Sequence, residues 1–162
     1  MFARPLIDSV DFASNGKELR GEIPIEALSR LGDMLATSHG TLTYVVRGLR
    51  EDERYMLEVE LSGVCHLRCQ RCMGELAYPI DISSRLTLLP ADRLEELEAD
   101  DGDEEYIEAS SQMDVLALIE EELLLGLPFA PRHPEGACSQ VTEGLEKPAN
   151  PFSVLAGLKK KH

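Results

Sequence analysis

Tryptophan is missing from the 162-residue chain, which holds only four tyrosines and four phenylalanines. Proteins that read unpaired bases over a broad surface interleave aromatic rings with cations, and no such stripe occurs here. Basic residues are scarce too, 16 against 30 acids, for a formal net charge of −14. That balance excludes a protein that coats nucleic acid by bulk charge. The apolar runs are short, so no segment reads as a membrane-spanning helix. Asp8 and Asp11 interrupt the first residues before the apolar core of a signal peptide can form. Cysteines number four, and without an export signal they read as cytosolic thiols or metal ligands, not disulfides. A cytoplasmic protein is the expectation. No internal repeat is visible.

The charge is unevenly spread. Between Asp92 and Glu122 lie 14 of the acids and one base, Arg93, so this segment carries −13 and the rest of the chain −1. Its densest part, Glu95 to Glu105, repels itself and reads as a solvated loop. A tract of this kind also suits a basic partner such as a ribosomal protein. EF-hand spacing is absent.

Residues 1–23 read as extended. Pro24 opens a helical pattern in which Ile25, Leu28, Leu31 and Leu35 recur at spacings of three and four. Residues 41–46, 55–61 and 77–89 have strand composition, and the charged turn Arg50–Arg54 predicts a hairpin between the first two. The cysteine cluster falls in the connection between the last two. Past the acidic block, Leu116, Ile119, Leu123 and Leu127 predict a second long helix, capped by Ser111 and stopped by Gly126 and Pro128. Glu120–Glu122 read as its wet face. Residues 139–149 read as a linker. Asn150 and Pro151 then open a short helix with an apolar stripe, Phe152, Leu155 and Leu158, followed by Lys159, Lys160 and Lys161. The expected fold is α+β: a small antiparallel sheet with two main helices, an acidic loop and a short C-terminal helix. Residues 1–138 form one domain in this reading, and 139–162 a linker and docking helix.

Cys65-His66-Leu67-Arg68-Cys69-Gln70-Arg71-Cys72 is the most chemical stretch. C-x3-C-x2-C is the cysteine spacing of radical S-adenosylmethionine enzymes, but this chain is too short for their barrel, and Arg71 stands where they carry an aromatic. Cys69 and Cys72 are spaced as a redox pair, but no helix pattern follows to lower a thiol pKa. A C-x2-C knuckle also supplies two thiolates to zinc, which needs two more ligands. His133 and Cys138, in a loop rich in Pro and Gly, complete a Cys3His set with Cys69 and Cys72. Such a structural zinc would clip the loop after the second helix to the sheet. A local set of Cys65, Cys69, Cys72 and His66 competes, as does a reading in which all four cysteines are reduced structural thiols.

Three stretches carry a resemblance. Cys69-Gln70-Arg71-Cys72, then Leu127-Pro128-Phe129-Ala130-Pro131-Arg132-His133 with Cys138 beyond it, and the ending Lys147-Pro148-Ala149-Asn150-Pro151-Phe152-Ser153-Val154-Leu155-Ala156-Gly157-Leu158-Lys159 resemble the YceD family of large ribosomal RNA subunit accumulation proteins. The order of these motifs agrees from about residue 40 to the end. The resemblance implies a bacterial cytoplasmic protein needed for synthesis, processing or stability of 23S ribosomal RNA. It supplies no catalytic residues, so a non-enzymatic factor is expected.

Direct RNA binding needs cations for phosphate. Arg47, Arg50, Arg54, Arg68, Arg71 and Arg85 fall on or beside the expected sheet, with acids among them, so a mixed-charge surface competes with a local basic patch. Arg68, Arg71, Phe152, Leu155, Leu158, Lys159 and Lys160 are the candidate contacts to RNA or a partner. The partner is then 23S rRNA or its precursor, met directly or through a basic ribosomal protein or processing factor. The alternatives are a thiol-disulfide oxidoreductase using Cys69 and Cys72, or a zinc-stabilised protein-interaction module.

Overall fold

Alternation of apolar and polar residues builds the centre of the molecule. The computed structural model describes residues 3–97, 102–138 and 152. Strands β2 (Glu18–Pro24), β3 (Thr41–Glu51), β4 (Arg54–Arg68), β5 (Glu75–Leu89) and β6 (Glu105–Glu108) form a five-stranded sheet in that order. The first four make an antiparallel meander, and β6 runs parallel to β5. Two further strands, β1 (Leu6–Ile7) and β7 (Met113–Asp114), pair separately. Along β4 the side chains of Leu57, Val59, Leu61, Cys65 and Leu67 are buried, and Glu58, Glu60, Ser62 and His66 turn to the other face. The buried face packs against α3 (Val115–Gly126), whose Val115, Ile119 and Leu123 are fully enclosed. Each such side chain contributes roughly 1.5–3 kcal/mol by leaving water.

Helix α1 (Ser9–Ser14) closes the other end of the core. Asp8 caps it by accepting from the Asp11 amide, and Phe12 and Ala13 are buried. Its backbone lies so close to β3 that a Cβ on Gly48 would stand 2.2 Å from the Phe12 carbonyl oxygen. Only glycine fits there.

The outer face of the sheet carries charge in an ordered row. Glu18, Arg47, Glu58 and Arg85 are register neighbours across β2, β3, β4 and β5. Arg47 reaches Glu18 at 2.8 Å, Glu58 at 3.3 Å and Glu60 at 2.8 Å, and Arg85 reaches Glu58 at 3.4 Å. Of the other sheet arginines, Arg54 pairs with Glu104, and Arg50 lies over the Tyr55 ring. The face is therefore mixed in charge.

Several expectations are corrected. The segment after Pro24 is two 3-10 helices, Ile25–Ala27 and Ser29–Met34, not an α-helix. Ile25, Leu28, Leu31 and Met34 recur every three residues, the period at which 3-10 side chains stack, and Ser29 and Gly32 weaken the α alternative. The segment then delivers Leu35 to a bridge with Leu67 in β4. The second long helix begins later than expected. Ser111 is in a turn, residues 113–114 are held in the β1–β7 ladder, and Asp114 is the cap, accepting from the Ala117 amide at 3.2 Å.

Glu120 and Glu122 are buried, not wet. Glu120 Oε1 accepts from the Arg30 amide at 2.6 Å, satisfying an otherwise unpaired donor at the start of the second 3-10 helix. Glu122 accepts from the Ser84 hydroxyl at 2.5 Å and ties α3 to β5. The acidic stretch is also more than a loop: Glu95 and Glu96 lie in α2 (Ala91–Glu96), and Glu105 opens β6. The expected C-terminal helix lies outside the described residues except for Phe152.

Candidate metal centre

The β4–β5 hairpin has 15 residues in each strand, and its tip is the C-x2-C turn. Cys65 precedes that turn within β4 and points into the core, fully buried; burial pushes its thiol up to about 11. His66 faces the opposite side of the sheet, where its Nδ1 lies 2.6 Å from a Glu75 carboxylate oxygen. Strand alternation therefore separates Cys65 and His66, and the local ligand set they would form with Cys69 and Cys72 is ruled out. Cys65 behaves as a small hydrophobe.

At the tip the chain reverses tightly. The Cys69 amide donates to the Gly74 carbonyl at 2.9 Å, and the Met73 amide to the Cys69 carbonyl at 2.9 Å. Met73 takes a left-handed φ of 62°, which turns the Gly74 amide onto Cys72 Sγ at 3.4 Å. The loop after α3 closes over this turn, anchored by the Gln70 amide on the Pro131 carbonyl at 2.8 Å. It carries His133 and Cys138 to the same point.

Cys69, Cys72, His133 and Cys138 thus present one sulfur or nitrogen each, all within 4.8 Å of one another. Cys69 and Cys138 sulfurs are 3.9 Å apart, and His133 Nδ1 is 3.4 Å from Cys72 Sγ and 3.7 Å from Cys138 Sγ. A tetrahedral zinc ion, about 2.3 Å from sulfur and about 2.0 Å from nitrogen, has sulfur–sulfur edges of about 3.8 Å and sulfur–nitrogen edges of about 3.5 Å. The donor set can hold such a metal. His133 Nε2 lies 2.8 Å from the Glu75 carbonyl oxygen. A carbonyl only accepts, so Nε2 bears the proton and Nδ1 keeps its lone pair toward the sulfurs.

The surroundings act on the thiols in opposite directions. Burial works against ionisation of Cys69, but hydrogen bonds from the backbone of Cys72, His133 and Arg71 overcome it and bring the thiol down to about 5. Cys138 is pushed upward by burial, which the Arg71 guanidinium opposes. Arg71 Nε donates to Cys138 Sγ at 3.2 Å, and its terminal nitrogen to the His133 carbonyl at 2.8 Å. This arginine, a candidate RNA contact by sequence, is turned into the cluster. Arg68 ends β4 opposite Glu75, and Phe152 is exposed; Leu155, Leu158, Lys159 and Lys160 lie outside the described residues. The backbone groups of Gly74, Glu75 and Pro131 escaped the sequence reading. Met73-Gly74 directly after Cys72 was the available sign, since glycine after a knuckle offers an unhindered amide.

The family model described as large ribosomal RNA subunit accumulation protein YceD matches residues 57–159, a stretch that contains all four clustered residues. The chain belongs to the YceD family. A YceD relative named large ribosomal RNA subunit accumulation protein, from Haemophilus influenzae, is 34% identical over 172 positions, covering 96% of this chain and 95% of its own length. No solved structure matches the chain. Within the YceD match lie both halves of the donor set, the hairpin tip and the loop after α3.

Proposed function

We propose that the chain is a non-enzymatic factor in biogenesis of the large ribosomal subunit, acting on the accumulation of 23S rRNA. The observation that carries this reading is the relative's name together with the end-to-end match, 96% of one chain on 95% of the other. In this reading the Cys3His cluster holds one structural zinc ion. Four protein ligands leave no open position for a reacting molecule, so the metal fixes shape: it joins the hairpin tip to the loop after α3.

The zinc reading has more geometric support than thiol-disulfide exchange. Cys69 is fully buried, so an incoming disulfide has no access to the one sulfur whose pKa is depressed. The charge row on the outer sheet face gives little support for a broad phosphate-binding surface there, because Arg47 and Arg85 are already engaged by carboxylates. Contact with RNA would then be local or pass through a protein.

Depleting the protein from its host tests the function. The expected result is a fall in 23S relative to 16S rRNA and in mature large subunits on a sedimentation gradient. Unchanged 23S levels and gradient profiles would overturn the proposal.

A further inference from the structure

Strand β6 is one edge of the five-stranded sheet, and α3 packs beside it on β4 and β5. Between them lie two adjoining cavities of about 400 and 250 Å³, which share Ile107, Leu118 and Glu121 as lining residues. Leu125, 74% exposed, extends the apolar floor. Glu105, Glu108 and Glu121 stand around it, all exposed. None of these three carboxylates takes part in an ion pair among the described residues, whereas Glu18, Glu58, Glu60 and Glu104 are each met by arginine. Their charge is felt locally. Buried Glu122 has its pKa raised first by burial, against the Ser84 hydrogen bond, and further by Glu105 and Glu121.

An apolar floor within uncompensated carboxylates is complementary to a segment that alternates apolar and cationic side chains. It repels phosphate, so RNA is the wrong occupant. As the last strand of the sheet among the described residues, the four-residue β6 adds main-chain donors and acceptors for an extended segment. We propose that the α3–β6 groove binds a basic, amphipathic segment of a protein partner, with its apolar side chains on Ile107, Leu118 and Leu125 and its Lys or Arg on Glu105, Glu108 and Glu121. That the partner is a ribosomal protein rests on the function proposed above; the chemistry of the groove does not.

The test uses the full chain and a fluorescent synthetic peptide alternating Lys or Arg with Leu or Val. Anisotropy should show binding that weakens with salt, and by about ten-fold or more in Glu105→Lys/Glu121→Lys. Leu125→Ser, at an exposed position where folding is not at stake, should weaken binding without changing its salt dependence. Unaltered affinity in these variants overturns the proposal. So do zero-length cross-links joining Lys159, Lys160 or Lys161 to Glu105 or Glu121, because they would assign the groove to this chain's own end. In cells the two ideas separate. If 23S levels depend on the protein but the groove variants bind the peptide as wild type does, the groove proposal fails and the parent reading stands. If 23S levels never depend on the protein, the parent reading fails, and the peptide measurement still decides the groove.

Discussion

The hairpin tip and the α3–β6 edge both gather groups that carry negative charge, and they deal with it in opposite ways. At the tip, three sulfurs converge under backbone donors, the Arg71 guanidinium and an oriented imidazole. Every element there is arranged around an interior point, as in a site whose ligand is part of the structure. At the edge, Glu105, Glu108 and Glu121 are exposed and in no ion pair among the described residues, as on a surface whose counter-charge comes largely from elsewhere. At the far end of the groove Arg4 meets Asp114. The outer sheet face is a third solution, where Glu18, Arg47, Glu58 and Arg85 cancel within a single row. Net charge alone distinguishes none of these. What matters is whether compensation is built in, and from how far along the chain it comes.

The contrast can be broken most sharply at the tip. Cys72→Ser or His133→Ala should take zinc from about one ion per chain to near zero by elemental analysis, and lower Tm by about 10 °C, because metal affinity is folding free energy here. Equal metal content in wild type and both variants would show that the cluster is not a metal site. Arg71→Gln removes the charge and, being two atoms shorter, also the reach to the His133 carbonyl. It should weaken zinc about ten-fold in a chelator competition while leaving the far-ultraviolet circular dichroism unchanged.

Part of this arrangement was legible in the chain itself. The four clustered residues are readable because a C-x2-C spacing and a second His and Cys in a Pro- and Gly-rich loop form a set that could hold zinc. The strands at 41–46, 55–61 and 77–89 are readable because one face is apolar, although pairing extends them to 41–51, 54–68 and 75–89. Helix α1 was not, because six residues give too few periods to recognise and its burial depends on a glycine 36 positions past Phe12. Strand β6 was not either. Its parallel partner lies across α2, and Tyr106-Ile107 sits inside a run of carboxylates. The burial of Glu120 and Glu122 has a sign in the sequence: three consecutive helical residues sweep about 200°, so Glu120–Glu122 cannot share one wet face.

At the edge, Glu122→Gln is the sharpening experiment. The folded carboxyl is raised above its ordinary value of 4.5. Its favourable contribution is therefore complete below that pH and is lost as pH rises through the folded value. Thermal melts from pH 4 upward should show a flatter decline in the glutamine variant, with a higher Tm than wild type at neutral pH. An identical pH profile would mean that burial, with Glu105 and Glu121 beside it, does not hold this carboxyl up. The smallest effect belongs to the compensated row: Arg85→Ala should change stability by less than about 0.5 kcal/mol, since exposed pairs contribute little. A larger loss in a denaturant titration would show that the row acts as a unit.

The donor set is divided two and two, with β5, α2, β6 and α3 all lying between Cys72 and His133. In the zinc reading, the first two sulfurs therefore exist during synthesis long before their partners, as a weak half-site. The second pair arrives correctly only if everything in between has paired in register. Completion of the tetrad thus reports on the folding of some sixty intervening residues at once, and a chain that has misplaced any of those elements is left with a pair of unmatched thiols as its mark.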